Sequence, residues 1–128
     1  MICTIKLYPA YDRPSSVTGH IYSKTIIERE LLALINSKRP FITHTATPGE
    51  IKFTDVVGKI VSYTVDETHF NVECDLNDEF IGDIAKNAGL TPADIPKIAK
   101  LAPNGLGSFD FGKNISPEYR MISLVLSI

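Results

Sequence analysis

The segment from His69 to Leu76 alternates without a break: Phe70, Val72, Cys74 and Leu76 are apolar, and His69, Asn71, Glu73 and Asp75 are polar. A period of two predicts a strand with one buried and one wet face. The run Val57 to Val65 precedes it across Asp66-Glu67-Thr68, so the two runs predict a hairpin. Ile2 to Tyr8 predicts a first strand through Ile5 and Leu7, and Pro9 and Pro14 bracket a loop of turn formers that runs to Gly19. Phe41 to Thr45 predicts a short extended piece, with Pro48-Gly49 as a turn. Asn104 to Gly107 predicts a glycine-rich turn, Ser108 to Phe111 a strand, and Ile115 to Glu118 a connection. Tyr119 to Ile128 is apolar and β-branched with Arg120 as its charge, which predicts a final strand in the middle of a sheet rather than at its edge.

Three helices interrupt the strands. After Ser23, a good N-cap, the residues Ile27, Leu31, Leu34 and Ile35 share one helical face, and Pro40 bars continuation. Glu28 and Glu30 near its start and Lys38 and Arg39 near its end suit the helix dipole. Asp78 is placed to cap a second helix that runs to about Ala88, with Gly89 as its stop. Thr91-Pro92-Ala93-Asp94 has the form of a capping box with proline at the first helical position, and opens a short third helix that ends before Pro103. Helices mixed with antiparallel strands, without a regular βαβ repeat, give an α+β class: a curled antiparallel or mixed sheet, or a small barrel, with three flanking helices.

Composition narrows the function. The chain has 128 residues, the size of one domain spanning 1–128. Apolar residues make up 44% and charged residues 22%, as in a globular domain. A net charge of -2, with no basic cluster beyond Lys38-Arg39, argues against a general nucleic-acid binder. The N-terminal segment lacks the basic-then-apolar form of a signal peptide, and no apolar run is long enough to span a bilayer. The expected setting is therefore intracellular, without secretion or a membrane partner. Cys3 and Cys74 both fall on apolar strand faces and are expected as small buried hydrophobes in a reducing compartment. Neither a zinc spacing nor a calcium loop is present, so no metal and no cofactor is expected.

A few residues have chemistry to offer. His44 follows the apolar pair Phe41-Ile42 and stands among Thr43, Thr45 and Thr47. An imidazole at a strand end among hydroxyls can act as a general base. Ser108 follows Gly105-Leu106-Gly107, where small residues leave room around a hydroxyl. His20 in a loop and His69 beside a turn are expected to face solvent. Glu73, Asp75, Asp78 and Glu79 gather near one strand end and are expected to form a solvated acidic face.

Several segments, in order, resemble the prohead maturation proteases of tailed phages, a serine-protease family of head assembly. They are Gly19-His20-Ile21-Tyr22-Ser23-Lys24 leading into the first helix, Ile42-Thr43-His44-Thr45, and Asp55-Val56-Val57-Gly58-Lys59-Ile60 with the hairpin through Leu76. Asn104-Gly105-Leu106-Gly107-Ser108 and Ile122-Ser123-Leu124-Val125 complete the set, which covers roughly residues 17 to 126. The resemblance implies a prohead-protease-like fold and places His44 at the family's catalytic histidine. It puts the serine pair of one branch on Ala102 and Pro103, which cannot be nucleophiles, whereas another branch would use Ser108 before Phe109. The acid of the last strand falls near Met121 or Ile122, and His20 stands where the family has Arg.

The resemblance therefore implies a structural protein of the phage head (capsid), decoration- or cement-like, on a protease-like fold that has lost its catalytic residues. One alternative is an active serine endopeptidase of prohead maturation that uses His44 and Ser108. Another is a small phage-encoded binding or inhibitor module. The partners implied are the major capsid protein or other phage head proteins, in a homo-oligomer or bound to the lattice. The implied location is the virion, or the host cytoplasm during assembly.

Overall fold

The structure, a computed structural model, describes residues 1–44 and 50–128. Thr45, Thr47 and the turn expected at Pro48-Gly49 lie outside the described residues. Six strands make one sheet: β1 (Ile2–Lys6), β2 (Phe41–Thr43), β3 (Val56–Val65), β4 (Phe70–Leu76), β5 (Lys100–Leu106) and β8 (Arg120–Ser127). Their order is β1-β4-β3-β2-β8-β5. Neighbours run antiparallel except β2 and β8, which pair in parallel through Ile42 with Leu124 and Thr43 with Val125. A separate hairpin pairs β6 (Phe109–Asp110) with β7 (Asn114–Ile115).

The sheet curls into a half-barrel, and its two outer strands meet at one point. Leu7, just past β1, bridges in parallel to Leu101 of β5, and the amide of Tyr8 donates to the carbonyl of Leu101 at 2.7 Å. Register shifts between Ile42 and Thr43, Ile60 and Ser62, and Asn104 and Gly105 add local bends, as bulges do. The inner face collects Ile5, Leu7, Ile42, Ile60, Phe70, Val72, Cys74, Leu76, Leu101, Leu124 and Leu126, all buried. Each fully buried aliphatic or aromatic side chain of this kind contributes about 1.5–3 kcal/mol relative to exposure. The alternation along β4 is therefore realised as a strand with one face in the core.

Helix α1 (Lys24–Ile35) starts where Ser23 caps it, the Ser23 hydroxyl accepting from the amide of Ile26. It lays Ile27, Leu31 and Leu34 on the core beside β3 and β8. It stops well before Pro40, because the Ser37 hydroxyl donates to the carbonyl of Leu34 at 2.6 Å and takes over a terminal acceptor. Helix α2 (Asp78–Ala88) is capped by Asn77 rather than Asp78, with the Asn77 side chain accepting from the amide of Phe80 at 2.9 Å. Gly89 closes it at φ 69°, a left-handed value suited to glycine. The Thr91–Asp94 capping box forms, but over a 3-10 turn (Pro92–Asp94) that passes into the one-turn helix α3 (Ile95–Ile98). No helix among the described residues is long and apolar enough to cross a membrane.

The expectation of a central final strand holds: β8 has β2 on one side and β5 on the other. The expected turn at Asn104–Gly107 does not form, since β5 continues to Leu106. Its glycines serve close approach instead: a Cβ on Gly105 would collide with the carbonyl of Arg120 and the ring of Tyr119. The strand expected over Ser108–Phe111 shortens to Phe109–Asp110, and the expected connection at Ile115 begins within β7.

One polar clamp ties α1 to β8. Glu30 is 5% exposed, and its carboxylate accepts from the amide of Met121 at 3.0 Å and from the Arg29 side chain at 3.0 Å. Arg29 also donates to the carbonyls of Pro117 and Tyr119. Met121 lies at the bulge that faces Gly105, so Glu30 serves an amide at an irregular step of the ladder.

At the hairpin turn, the carboxylate of Asp66 accepts from the Asn71 side chain at 2.9 Å and from the amides of Thr68 and His69 at 2.8 and 2.7 Å. These bonds, Asn71 foremost, hold its carboxyl well below the ordinary value of 3.8.

Glu30→Ala is expected to lower stability by about 1–3 kcal/mol in denaturant unfolding, because the buried Met121 amide loses its acceptor. Gly105→Ala is expected to cost about 1–3 kcal/mol by overpacking. Gly82→Ala, in the interior of α2 with nothing within 4 Å of the new methyl, should stabilise by about 0.5–1 kcal/mol. A depressed folded pKa at Asp66 means stability that is present above the ordinary carboxylate range and lost as pH falls through the folded value. The melting temperature of the native chain should therefore exceed that of Asp66→Asn at about pH 6, and the gap should narrow steadily toward about pH 2.

Candidate functional site

His44 stands where β2 ends. The ladder fixes its level: Thr43 is opposite Val125 of β8, and Val125 is opposite Ala102 of β5. Strands lie about 4.8 Å apart, so Ala102 is two strand spacings, about 10 Å, from the end of β2. Thr43, Ser123, Val125, Ala102 and Asn104 share this face of the sheet by register.

The His44 backbone amide donates to the carbonyl of Asp55 at 3.0 Å, and its Nε2 lies 3.8 Å from Asp55 Oδ1. Asp55 ends a 3-10 turn (Phe53–Asp55) just before β3. Its carboxylate is thus held beside the imidazole. The ring of Phe80 in α2 lies 5.5 Å from the imidazole. Together with Ile84, Val125, Leu126, Ser127 and Ile128, these residues line a groove of about 510 Å³. Among the described residues, no hydroxyl is hydrogen-bonded to the His44 ring.

A second groove of about 320 Å³ lies on the other side of Val125. It is walled by the aromatic rings of Tyr22, Phe109 and Tyr119, and reaches Ala102 and Pro103. His20 stacks on Phe109 with ring centroids 3.7 Å apart, and Tyr22 meets Phe109 edge-on at 5.8 Å. His20 is therefore half-buried rather than solvent-facing. Burial raises the phenol pKa of Tyr22, and burial followed by Tyr22 and Glu30 raises that of Tyr119 further, so both stay neutral. Between the grooves the face turns polar and buried: the Asn104 side chain donates to the Ser123 hydroxyl at 3.2 Å and to the carbonyl of Glu50 at 3.3 Å. Thr43, Asn104 and Ser123 account for most of the buried uncharged polar residues among those described.

Ser108 belongs to a different level of the sheet. It follows the end of β5 at Leu106, which pairs with Arg120. From Arg120 to Val125, the level of His44, β8 extends about 17 Å at ~3.4 Å per residue. Ser108 is exposed, its carbonyl accepts from the amide of Ser116 at 2.8 Å, and it lines neither groove. His44 and Ser108 are not hydrogen-bonded to one another. The carboxylate beside His44 is Asp55. Met121 and Ile122, where the family resemblance puts the acid, provide none, and Met121 is buried at the clamp with Glu30. Sequence reasoning missed Asp55 as a partner of His44, because an intervening segment of ordinary turn composition hides the contact. It also missed Asn104 and Ser123, which meet as direct partners in the ladder of β5 on β8.

The remaining candidates resolve into structural roles. His69 is half-buried, not solvent-facing. Its Nδ1 is 2.7 Å from the Thr68 hydroxyl and its ring is edge-on to Tyr8 at 4.9 Å. Burial first, then the Lys6 and Arg13 charges, lower its pKa, with Asp66 opposing them. Cys3 and Cys74 face each other across β1 and β4 as free thiols. Burial pushes Cys74 up to about 12 and raises Cys3 as well, so neither offers a thiolate. In the acidic group, Asp75 and Asp78 accept from the amino group of Met1 at 3.5 and 2.8 Å. No cluster of three or more metal-ligating side chains occurs among the described residues.

No protein-family model matches the chain, and no curated protein sequence matches it. Among solved structures, the capsid assembly protease gp21 of bacteriophage T4 shares its architecture, with a TM-score of 0.70 over 96% of this chain and 80% of that one. The two are 17% identical in sequence, so the match is one of fold. The chain is thus an α+β half-barrel on the fold of a phage capsid assembly protease, with His44 and Asp55 side by side at the end of β2 and an alanine on β5 at the same level.

Proposed function

We propose that this chain is a structural protein of a tailed-phage head, bound to the capsid lattice as a decoration or cement protein, on a protease fold that no longer hydrolyses peptides. The observation that carries this reading is Ala102. It stands opposite Val125, two strands from the end of β2, and the family resemblance puts one of the serine pair there. A methyl group there cannot attack a carbonyl. A lattice-bound role would cover apolar side chains such as Val17, 90% exposed, and Phe111, 100% exposed. Phe111 also adopts φ 54° at the tip of the β6–β7 hairpin, a left-handed conformation uncommon for a bulky residue. The partner is then the major capsid protein.

The His44–Asp55 pair favours a second reading, an active serine endopeptidase, because a base with an orienting carboxylate is two-thirds of a triad. In that reading Ser108 must be carried to His44.

Incubating the purified chain with a fluorophosphonate probe for activated serines separates the two. The expected result is no labelling above that of the heat-denatured chain, together with co-sedimentation with particles assembled from the major capsid protein of the same phage. Labelling that disappears in both Ser108→Ala and His44→Ala would overturn the structural reading. In an active enzyme each of those changes should lower the rate by about 10³-fold or more.

A further inference from the structure

Beside the bridge that joins the ends of the sheet, Leu7 with Leu101, a polar concavity of about 320 Å³ opens between the outer face of β1 and the junction of α3 with β5. Lys6, Lys97 and Lys100 line it from three different elements, together with Thr4, Tyr8 and Asn71. Lys97 and Lys100 are three residues apart in the sequence, and folding brings Lys6 to them. Lys100 is held with its Nζ 5.0 Å over the ring of Tyr8. Lys97 lies 4.0 Å from Asp94. Among the described residues neither Lys6 nor Lys100 has a carboxylate within ion-pair distance. Glu73, opposite Thr4 on β4, and Asp66 at the hairpin turn are the acidic groups next to this surface.

We infer that this seam pocket binds a small phosphate-type oxyanion, either inorganic phosphate or the phosphoryl group of a monoester. Three lysines that line one concavity from separate elements suit a tetrahedral dianion, since lysine binds phosphate as a point charge. A planar carboxylate is instead matched by the fork of an arginine, and none lines this pocket. The three lysines line one small concavity, which fits a single phosphoryl group and not a nucleic-acid backbone.

The test is a titration of the ¹⁵N-labelled chain with sodium phosphate at ionic strength held constant with sodium chloride, followed by amide chemical shifts. Saturable shifts confined to residues 4–8, 69–71 and 96–100 are expected, with a dissociation constant in the millimolar range or tighter. Lys6→Gln and Lys100→Gln should each weaken binding by about tenfold, and Lys97→Gln, on the exposed end of α3, should weaken it less. All three should keep the native melting temperature, and Lys38→Gln should bind as the native chain does. Phenyl phosphate distinguishes the sources: tighter binding than inorganic phosphate assigns the site to a monoester, and equal or weaker binding assigns it to free phosphate. Shifts that follow chloride equally, or that spread over lysines throughout the chain without saturating, would overturn the assignment. So would a short DNA duplex that moves the same amides at far lower concentration than phosphate.

Discussion

The insertion of β8 between β2 and β5 is the constraint on which the rest of the molecule depends. In the strand order it alone joins β5 to the ladder β1-β4-β3-β2, and the bridge of Leu7 with Leu101 closes the curl at the other end. The insertion is parallel on one side and antiparallel on the other, so it fixes two registers at once: Val125 with Thr43 and with Ala102. Those registers decide which residues stand around His44 and which lie near the aromatic groove. The clamp of Glu30 on the Met121 amide then holds the start of β8 to α1, where the bulge interrupts regular pairing. Leu124 and Leu126 supply buried apolar area on the inner face. The outer face of the same strand bears the polar contact of Ser123 with Asn104. One strand thus serves both as core and as floor of the candidate site.

Much of the fold could be read in the chain because local rules and tertiary context agreed. The alternation along β4, the caps at Ser23 and Thr91, the stop at Gly89 and the low charge of β8 each state their structure in a few residues. The misreadings fell where a residue served a neighbour distant in sequence. Gly105 and Gly107 look like turn formers, yet they lie against Tyr119, and the strand runs on through Gly105 to Leu106. His20 and His69 look like surface histidines, yet each packs against an aromatic ring supplied by another part of the chain. Asn77 outcompetes Asp78 as a cap by one position, within the usual uncertainty of helix ends.

The candidate site was legible as a place but not as a constellation. His44 could be named from its neighbours, and the level of Ala102 and Pro103 from family resemblance. Which carboxylate meets the imidazole could not be read, because Asp55 reaches it through a backbone hydrogen bond and a 3-10 turn rather than through any spacing motif. The lysine pocket at the seam was wholly invisible. Lys6 is remote in sequence from Lys97 and Lys100, and only the curl of the sheet brings β1 to the start of β5. A fold shared with a phage protease at 17% identity shows the same separation at larger scale: the architecture persists while the side chains on it are free to change.

The pairing of residue 42 with residue 124, and of residue 7 with residue 101, has a consequence for how the chain reaches this structure. The β3–β4 hairpin and helices α1 and α2 can form from neighbouring residues, but β2 and β5 have no common partner until β8 arrives. Closing such long loops costs entropy before any contact returns it, which places the molecule among slow-folding topologies. In a chain emerging from the ribosome, β5 and the inner face of β2 stay uncovered until the last strand is made. Their apolar surfaces are then open to neighbouring chains, and association between unfinished molecules competes with folding.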